Sequence, residues 1–162
     1  MSSLNSSSVN RVRTWLLNAG SDAVIIELAT TARSAEEAAN SIGVELGSIV
    51  KSLVFSIEGD PVMALISGDR RCNTQVLPIS LGIDGEAVRA NPDQVKRATG
   101  FAIGGVAPIA HVQKIPIVID QDLNRFRSIF AAAGHPHFVF ETNFKELIEL
   151  TGATIESDIS IA

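Results

Sequence analysis

Two β-forming runs in the middle of the chain, Ile49 to Ile57 and Pro61 to Ile66, are separated by Glu58-Gly59-Asp60. That pattern reads as a hairpin of antiparallel strands with glycine in the turn. Helical patterns and further short strands alternate on both sides of it. A chain with an antiparallel hairpin among interspersed helices predicts a mixed-sheet α/β fold rather than a regular parallel one.

The flanking elements are marked by their ends. Val9 to Ala19 places Val9, Val12, Leu16 and Ala19 on one helical stripe and stops at Gly20, and Asp22 to Leu28 reads as a strand. Ser34 followed by Glu37 has capping-box spacing, with Ala35, Ala38, Ala39 and Ile42 as a small apolar face before Gly43. Beyond the hairpin, Gly68-Asp69-Arg70-Arg71 forms a polar knot. Asn73 is placed to cap a helix through Leu81, which Pro78 kinks or confines to a short turn. Glu86 to Ala90 reads as a short strand. Asn91-Pro92-Asp93 then combines a cap, a first-turn proline and an acidic residue for a helix ending near Gly100. Ile115 to Ile119 is a further strand, Ile129 to Ala133 and Phe138 to Glu141 flank Gly134-His135-Pro136-His137 as two more, and Asn143 to Leu150 closes the pattern as a helix stopped by Gly152.

Composition narrows the class. The chain has 162 residues, 46% of them hydrophobic and 19% charged, too apolar for a disordered segment and enough for one core. We read residues 1–8 as a flexible leader and 9–162 as a single domain. A net charge of −5 disfavours general coating of nucleic acid but leaves room for a local basic pocket. The lone Cys72 excludes an internal disulfide and fits a reducing cytoplasm. The charge-free stretch Ala98 to Gln113 is broken by glycines and Pro108, and it is too short to span a bilayer as a helix.

Strict alternation puts Lys51 on the same strand face as Ile49, Leu53, Phe55 and Ile57, opposite Val50, Ser52, Val54 and Ser56. A lysine there either snorkels at the strand's start, titrates low, or meets an anion such as a phosphate or carboxylate. The segment Thr99 to Pro108 contains Gly104-Gly105, either a simple turn or backbone that approaches a ligand and presents amides to an oxyanion. Asp69, Arg70 and Arg71 follow a strand end, as a solvated turn or as phosphate-binding charges at a cleft. His135 and His137 lack a third ligand at a metal-site spacing, and Cys72 reads as a small buried thiol. Phosphate-loop, dinucleotide-binding and serine-elbow motifs are missing from the sequence, which calls for no cofactor.

Three blocks in order resemble the YbaK/EbsC-type family of aminoacyl-tRNA deacylases, which includes the ProX proteins and the editing domain of bacterial prolyl-tRNA synthetase. They are Ser34 to Gly43 running into Ile49-Val50-Lys51-Ser52-Leu53-Val54, then Ser67 to Arg71, then Thr99 to Pro108. Ala133 to Gly152 is similar to the closing strand and helix of free-standing members. The resemblance implies a curled, barrel-like mixed sheet flanked by helices, with a pocket for the aminoacyl-adenosine end of tRNA. It implies that Lys51 contacts phosphate or ribose, that the loop of Gly104, Gly105 and Pro108 orients the ester and a water, and, more loosely, that Asp69 and Arg70 stand at the entrance. Lys51, Arg70, Arg71, Lys96, Arg97 and Lys114 are candidates for a basic approach. Ile109, Ala110 and His111 depart from the family, many of whose members have a glycine soon after this loop.

The implied reaction is hydrolysis of a mischarged tRNA, such as tRNA(Pro) bearing Ala, Cys or Ser, by a cytoplasmic enzyme acting in trans without a metal. Prolyl-tRNA synthetase or an elongation factor is the implied protein partner, and neither DNA nor a membrane is. The competing expectations are a catalytically silent module that binds aminoacyl-tRNA or a synthetase, and a hydrolase of free acyl esters.

Overall fold

The computed structural model describes residues 7–162, and the predicted hairpin is its centre. Strands β2 (Ile49–Ile57) and β3 (Asp60–Ser67) pair antiparallel from Val50↔Ser67 to Ile57↔Asp60, which leaves Glu58 and Gly59 as a two-residue turn. Both have left-handed φ, 51° and 86°, the combination whose twist matches the strands it joins. Asp60 therefore begins β3 instead of ending the turn.

Around this hairpin lie β1 (Val24–Glu27), β5 (Ala87–Arg89), β6 (Ile117–Asp120), β7 (Ile129–His135), β8 (Phe138–Thr142) and β9 (Thr154–Glu156), in the order β1-β8-β7-β2-β3-β6-β9 with β5 also on β2. β7 joins β2, β6 joins β3 and β9 joins β6 in parallel, whereas the other pairs are antiparallel. The sheet is mixed, as expected. Its ends, β1 and β9, are not paired with each other, so the barrel-like curl does not become a closed barrel. A separate ribbon joins β4 (Arg71–Cys72) to β10 (Ser160–Ile161).

Helix α1 (Ser7–Asn18) buries Val9, Val12 and Leu16 and leaves Ala19 exposed beyond its end. Residues 1–6 of the expected leader lie outside the described residues, and Ser7 and Ser8 are helical. Helix α2 (Ala35–Ile42) starts at Ser34, whose Oγ accepts the Glu37 N–H. Helix α3 (Val76–Leu81) starts after Gln75, which makes no side-chain cap bond, rather than from a cap at Asn73, and Pro78 sits in its first turn, where a missing N–H costs little. Helix α4 (Pro92–Thr99) has the complete reciprocal box, with Gln94 N–H to Asn91 Oδ1 and Asn91 N–H to Gln94 Oε1, both 2.8 Å. Helix α5 (Phe144–Thr151) runs from the cap Asn143 to Gly152.

The central strands are buried on both faces. Val50, Val54, Met63 and Leu65 join α1, Val95 and Ala98 in the larger core, while Phe55, Ile57, Val62, Ala64 and Ile66 pack with Leu77 and Ile159 in a second. Ala38 and Ala39 of α2 form a third cluster with Ile49, Phe130 and Val139. No helix among the described residues is long and apolar enough to cross a membrane.

Candidate functional site

The site begins as a fork in the sheet. Along the edge of β2 away from β3, β7 pairs only with Ile49 and Val50, and β5 only with Phe55 to Ile57, extended by the Ala90 N–H to Val54 O bond at 3.1 Å. Among the described residues, no strand covers Lys51, Ser52 or Leu53 on that edge. The gap opens into a cavity of about 350 Å³, within the range of small-ligand pockets. Its walls come from α2 and the segment before it, β2, β5, the loop after α4, and the β7–β8 hairpin.

Lys51 lines this cavity and is half-buried, with Nζ donating to the carbonyl of Arg70. Burial pushes its ammonium below the ordinary lysine range, while the charge of Asp69 opposes the shift. Asp69 thus supports the ammonium form against burial in a partly dry wall, where it is a suitable partner for an anion. Arg33 and Arg89 also line the cavity, and among the described residues no carboxylate does.

The loop between α4 and β6 supplies the opposite wall. Gly104, at φ +102°, faces the cavity together with Ile103 and Val106. Gly105 is needed for close approach: a Cβ there would lie 2.7 Å from the His135 amide nitrogen. Its own N–H donates to Ala102 O at 3.1 Å, so that amide is already engaged. Pro108 is buried and does not line the cavity. The loop is held from behind by Arg11, which donates from Nε to Ala110 O (3.0 Å) and from Nη2 to Thr99 O (2.7 Å), with its guanidinium 4.2 Å from the Phe101 ring centre. His111 adds a bond from Nε2 to Ala107 O at 2.8 Å, and burial lowers its proton affinity.

The polar knot lies outside the cavity lining. Asp69 pairs with Arg125 at 2.9 Å, which holds its carboxyl below the usual range, and Arg70 pairs with Asp122 at 2.7 Å while bonding Ser160. These two residues brace the end of β3; the entrance role expected of them finds no counterpart in the lining. Of the candidate basic approach, only Lys51 lines the cavity; Arg97 lines a smaller cleft between α4 and the β2–β3 turn.

His135 lines the cavity, as its neighbour Pro136 does, and its Nδ1 accepts the His137 N–H at 3.0 Å. Burial, His137 and Arg33 lower its proton affinity, favouring a neutral ring with its proton on Nε2. His137 Nε2 instead meets Thr31 Oγ1 at 2.7 Å. No group of three His, Cys, Asp or Glu side chains converges among the described residues. Cys72 is half-buried rather than fully buried, and that burial pushes its thiol up to about 11, which keeps it protonated at neutral pH.

Sequence reasoning missed Arg33 and Arg89. Each stood in an element that was recognised, beside the α2 cap and on the short strand β5, but only the fork places both on one cavity.

Comparison with known proteins decides the family, since the profile for the aminoacyl-tRNA editing domain matches residues 29–150. The chain belongs to the aminoacyl-tRNA editing domain family. It is 31% identical over 153 residues to the uncharacterised protein YwhH of Bacillus subtilis, covering 94% of this chain and 96% of that one. It is 39% identical over 95 residues to a proline–tRNA ligase of Maridesulfovibrio salexigens, covering 58% of this chain but only 16% of the ligase. Among solved structures, it resembles a protein proposed as a trans-editing enzyme for prolyl tRNA synthetase, with a TM-score of 0.86, 39% identity, and coverage of 93% of this chain and 96% of that one. Of the residues expected at the site, Lys51 and Gly104 line the cavity, Gly105 packs against the His135 backbone, and Pro108 is buried away from it.

Proposed function

We propose that this chain is a trans-acting aminoacyl-tRNA deacylase that removes a small wrong amino acid, alanine, cysteine or serine, from tRNA(Pro) in the cytoplasm. The observation that carries the reading is Lys51 on the uncovered stretch of β2, a half-buried cation inside the cavity of an editing-family domain. Supporting it, the remaining wall is largely apolar and built from small or branched residues such as Ala35, Ala38, Val95 and Ala132.

In this mechanism, Lys51 holds phosphate or ribose of the terminal adenosine, and the backbone at Gly104 orients the ester. A water adds to the acyl carbonyl, and the tetrahedral intermediate expels the ribose oxygen, which takes up a proton. The neighbouring ribose hydroxyl assists that transfer. An aminoacyl ester is reactive enough for positioning and polarisation to suffice, so a protein nucleophile is not required. The cavity wall selects by size, admitting small acyl groups and excluding a larger correct one. Prolyl-tRNA synthetase or an elongation factor is the protein partner that would present the substrate.

Single-turnover deacylation of tRNA(Pro) charged with alanine, cysteine, serine, threonine or proline tests this. The expected result is hydrolysis of one or a few wrong esters with prolyl-tRNA spared, slowed about 100-fold by Lys51→Ala in a folded protein. Unchanged turnover by that variant removes Lys51 from the mechanism. Retained tRNA binding with no ester turned over replaces the enzyme by a binding module.

A further inference from the structure

We propose that Arg33 and Arg89 bind phosphates of the single-stranded 3′ end of an RNA from opposite walls of the cavity, so that the strand crosses its mouth over Lys51. The identity of the RNA as tRNA rests on the deacylase reading. The phosphate contacts themselves rest on charge and geometry.

The charge at this cavity runs against that of the molecule. The chain has 18 acidic and 13 basic residues, yet the charged residues lining the cavity are Arg33, Lys51 and Arg89. Both ion pairs found among the described residues employ other arginines, Arg70 with Asp122 and Arg125 with Asp69. Arg33 and Arg89 are exposed and form no ion pair among the described residues, so their guanidinium groups remain available to an incoming anion.

Their positions bracket the fork. Arg33 precedes the cap of α2, and its Cγ is 3.7 Å from where a Gly104 Cβ would stand; its charge is felt by His135 at the end of β7. Arg89 lies on β5, 5.5 Å over the Phe55 ring, and its charge is felt by Lys51. The uncovered residues Lys51 to Leu53 run between these two walls. Stacking on an aromatic face limits the freedom of the Arg89 side chain while leaving its N–H groups free, and the planar guanidinium suits bidentate contact with phosphate oxygens. Single-stranded nucleic acid, whose phosphates repeat along a flexible backbone that positively charged grooves track, suits two arginines and a lysine lining one cavity.

The test uses the full chain and a fluorescent eight-nucleotide RNA ending in CCA and bearing no amino acid, titrated across a salt series, beside the same oligonucleotide with neutral methylphosphonate linkages. Arg33→Gln and Arg89→Gln should each weaken binding of the natural oligonucleotide and reduce the steepness of log K against log salt by about 0.7, and the double variant by about 1.4. Affinity for the neutral oligonucleotide should not change, and both variants should stay folded, with at most a small drop in melting temperature for Arg89→Gln from its lost Phe55 contact. An unchanged salt slope, equal loss on the neutral oligonucleotide, or no measurable binding by the wild type at low salt overturns the proposal. Deacylation separates it from the functional reading. Slope changes without ester hydrolysis by wild type sustain the phosphate site and remove the deacylase; hydrolysis with KM unaltered in both variants does the reverse.

Discussion

Gly105 carries its constraint in a single missing atom. The Cβ of an alanine would stand 2.7 Å from the nitrogen and 2.8 Å from the Cα of His135, both main-chain atoms that cannot swing away. Gly105→Ala should therefore push the loop off β7, destabilising the fold by about 1–3 kcal/mol as other overpacked sites do. The same displacement moves Gly104 and the cavity wall, and a shift near 1 Å is enough to cost about 100-fold in rate. Urea unfolding and single-turnover deacylation of the one variant measure the two effects, and a wild-type rate would show that the loop does not position the ester. A glycine pair read from sequence allows either a turn or a close approach. Only the facing strand makes it the latter.

The loop's placement depends on an element remote in sequence. Helix α1 precedes the span matched by the editing-domain profile, yet its Arg11 bonds the carbonyls of Thr99 and Ala110, which flank the loop's glycine segment. Lysine at this position keeps the charge but loses the fork that spans two acceptors. Arg11→Lys should leave α1 helical while amide exchange over residues 102–108 accelerates roughly 10–100-fold and deacylation falls with it. Exchange like that of wild type would remove the staple. Elements whose ends are set locally were legible beforehand: Ser34, Asn91 and Asn143 cap α2, α4 and α5 through bonds to an N–H three residues on. The strands β4, β9 and β10, two or three residues long, were not, because each forms only where a partner edge waits: β4 and β10 on each other, β9 on β6. Asn73 does not serve as the cap expected of it: its N–H joins Ile159 O at 2.6 Å across the β4–β10 ribbon, its carbonyl accepts the Val76 N–H at 3.1 Å, and the helix begins after Gln75 without a side-chain cap bond.

At the scale of the molecule, the hairpin is shared property. β2 and β3 contribute alternate residues to the larger core and to the second one, so neither core can come apart while the other keeps both strands in register. Urea unfolding should accordingly show one transition, with the same midpoint from Trp15 fluorescence, which reports the α1 side of the larger core, and from far-UV circular dichroism. Separate midpoints would mean that the two faces unfold independently. What the sequence determined by itself was what neighbours in the chain can encode: caps, the turn at Glu58-Gly59, the face of Lys51, and an ordered set of blocks that marked the family. Tertiary structure alone decided which charges meet the cavity. Asp69 and Arg70 carry the charge expected of an entrance, but Asp69 is drawn to Arg125, 56 residues away, and Arg70 to Asp122, whereas Arg33 and Arg89 reach the same opening because β2 is left uncovered between β7 and β5. Pairing between distant segments sets both results, and no periodicity or local spacing records it.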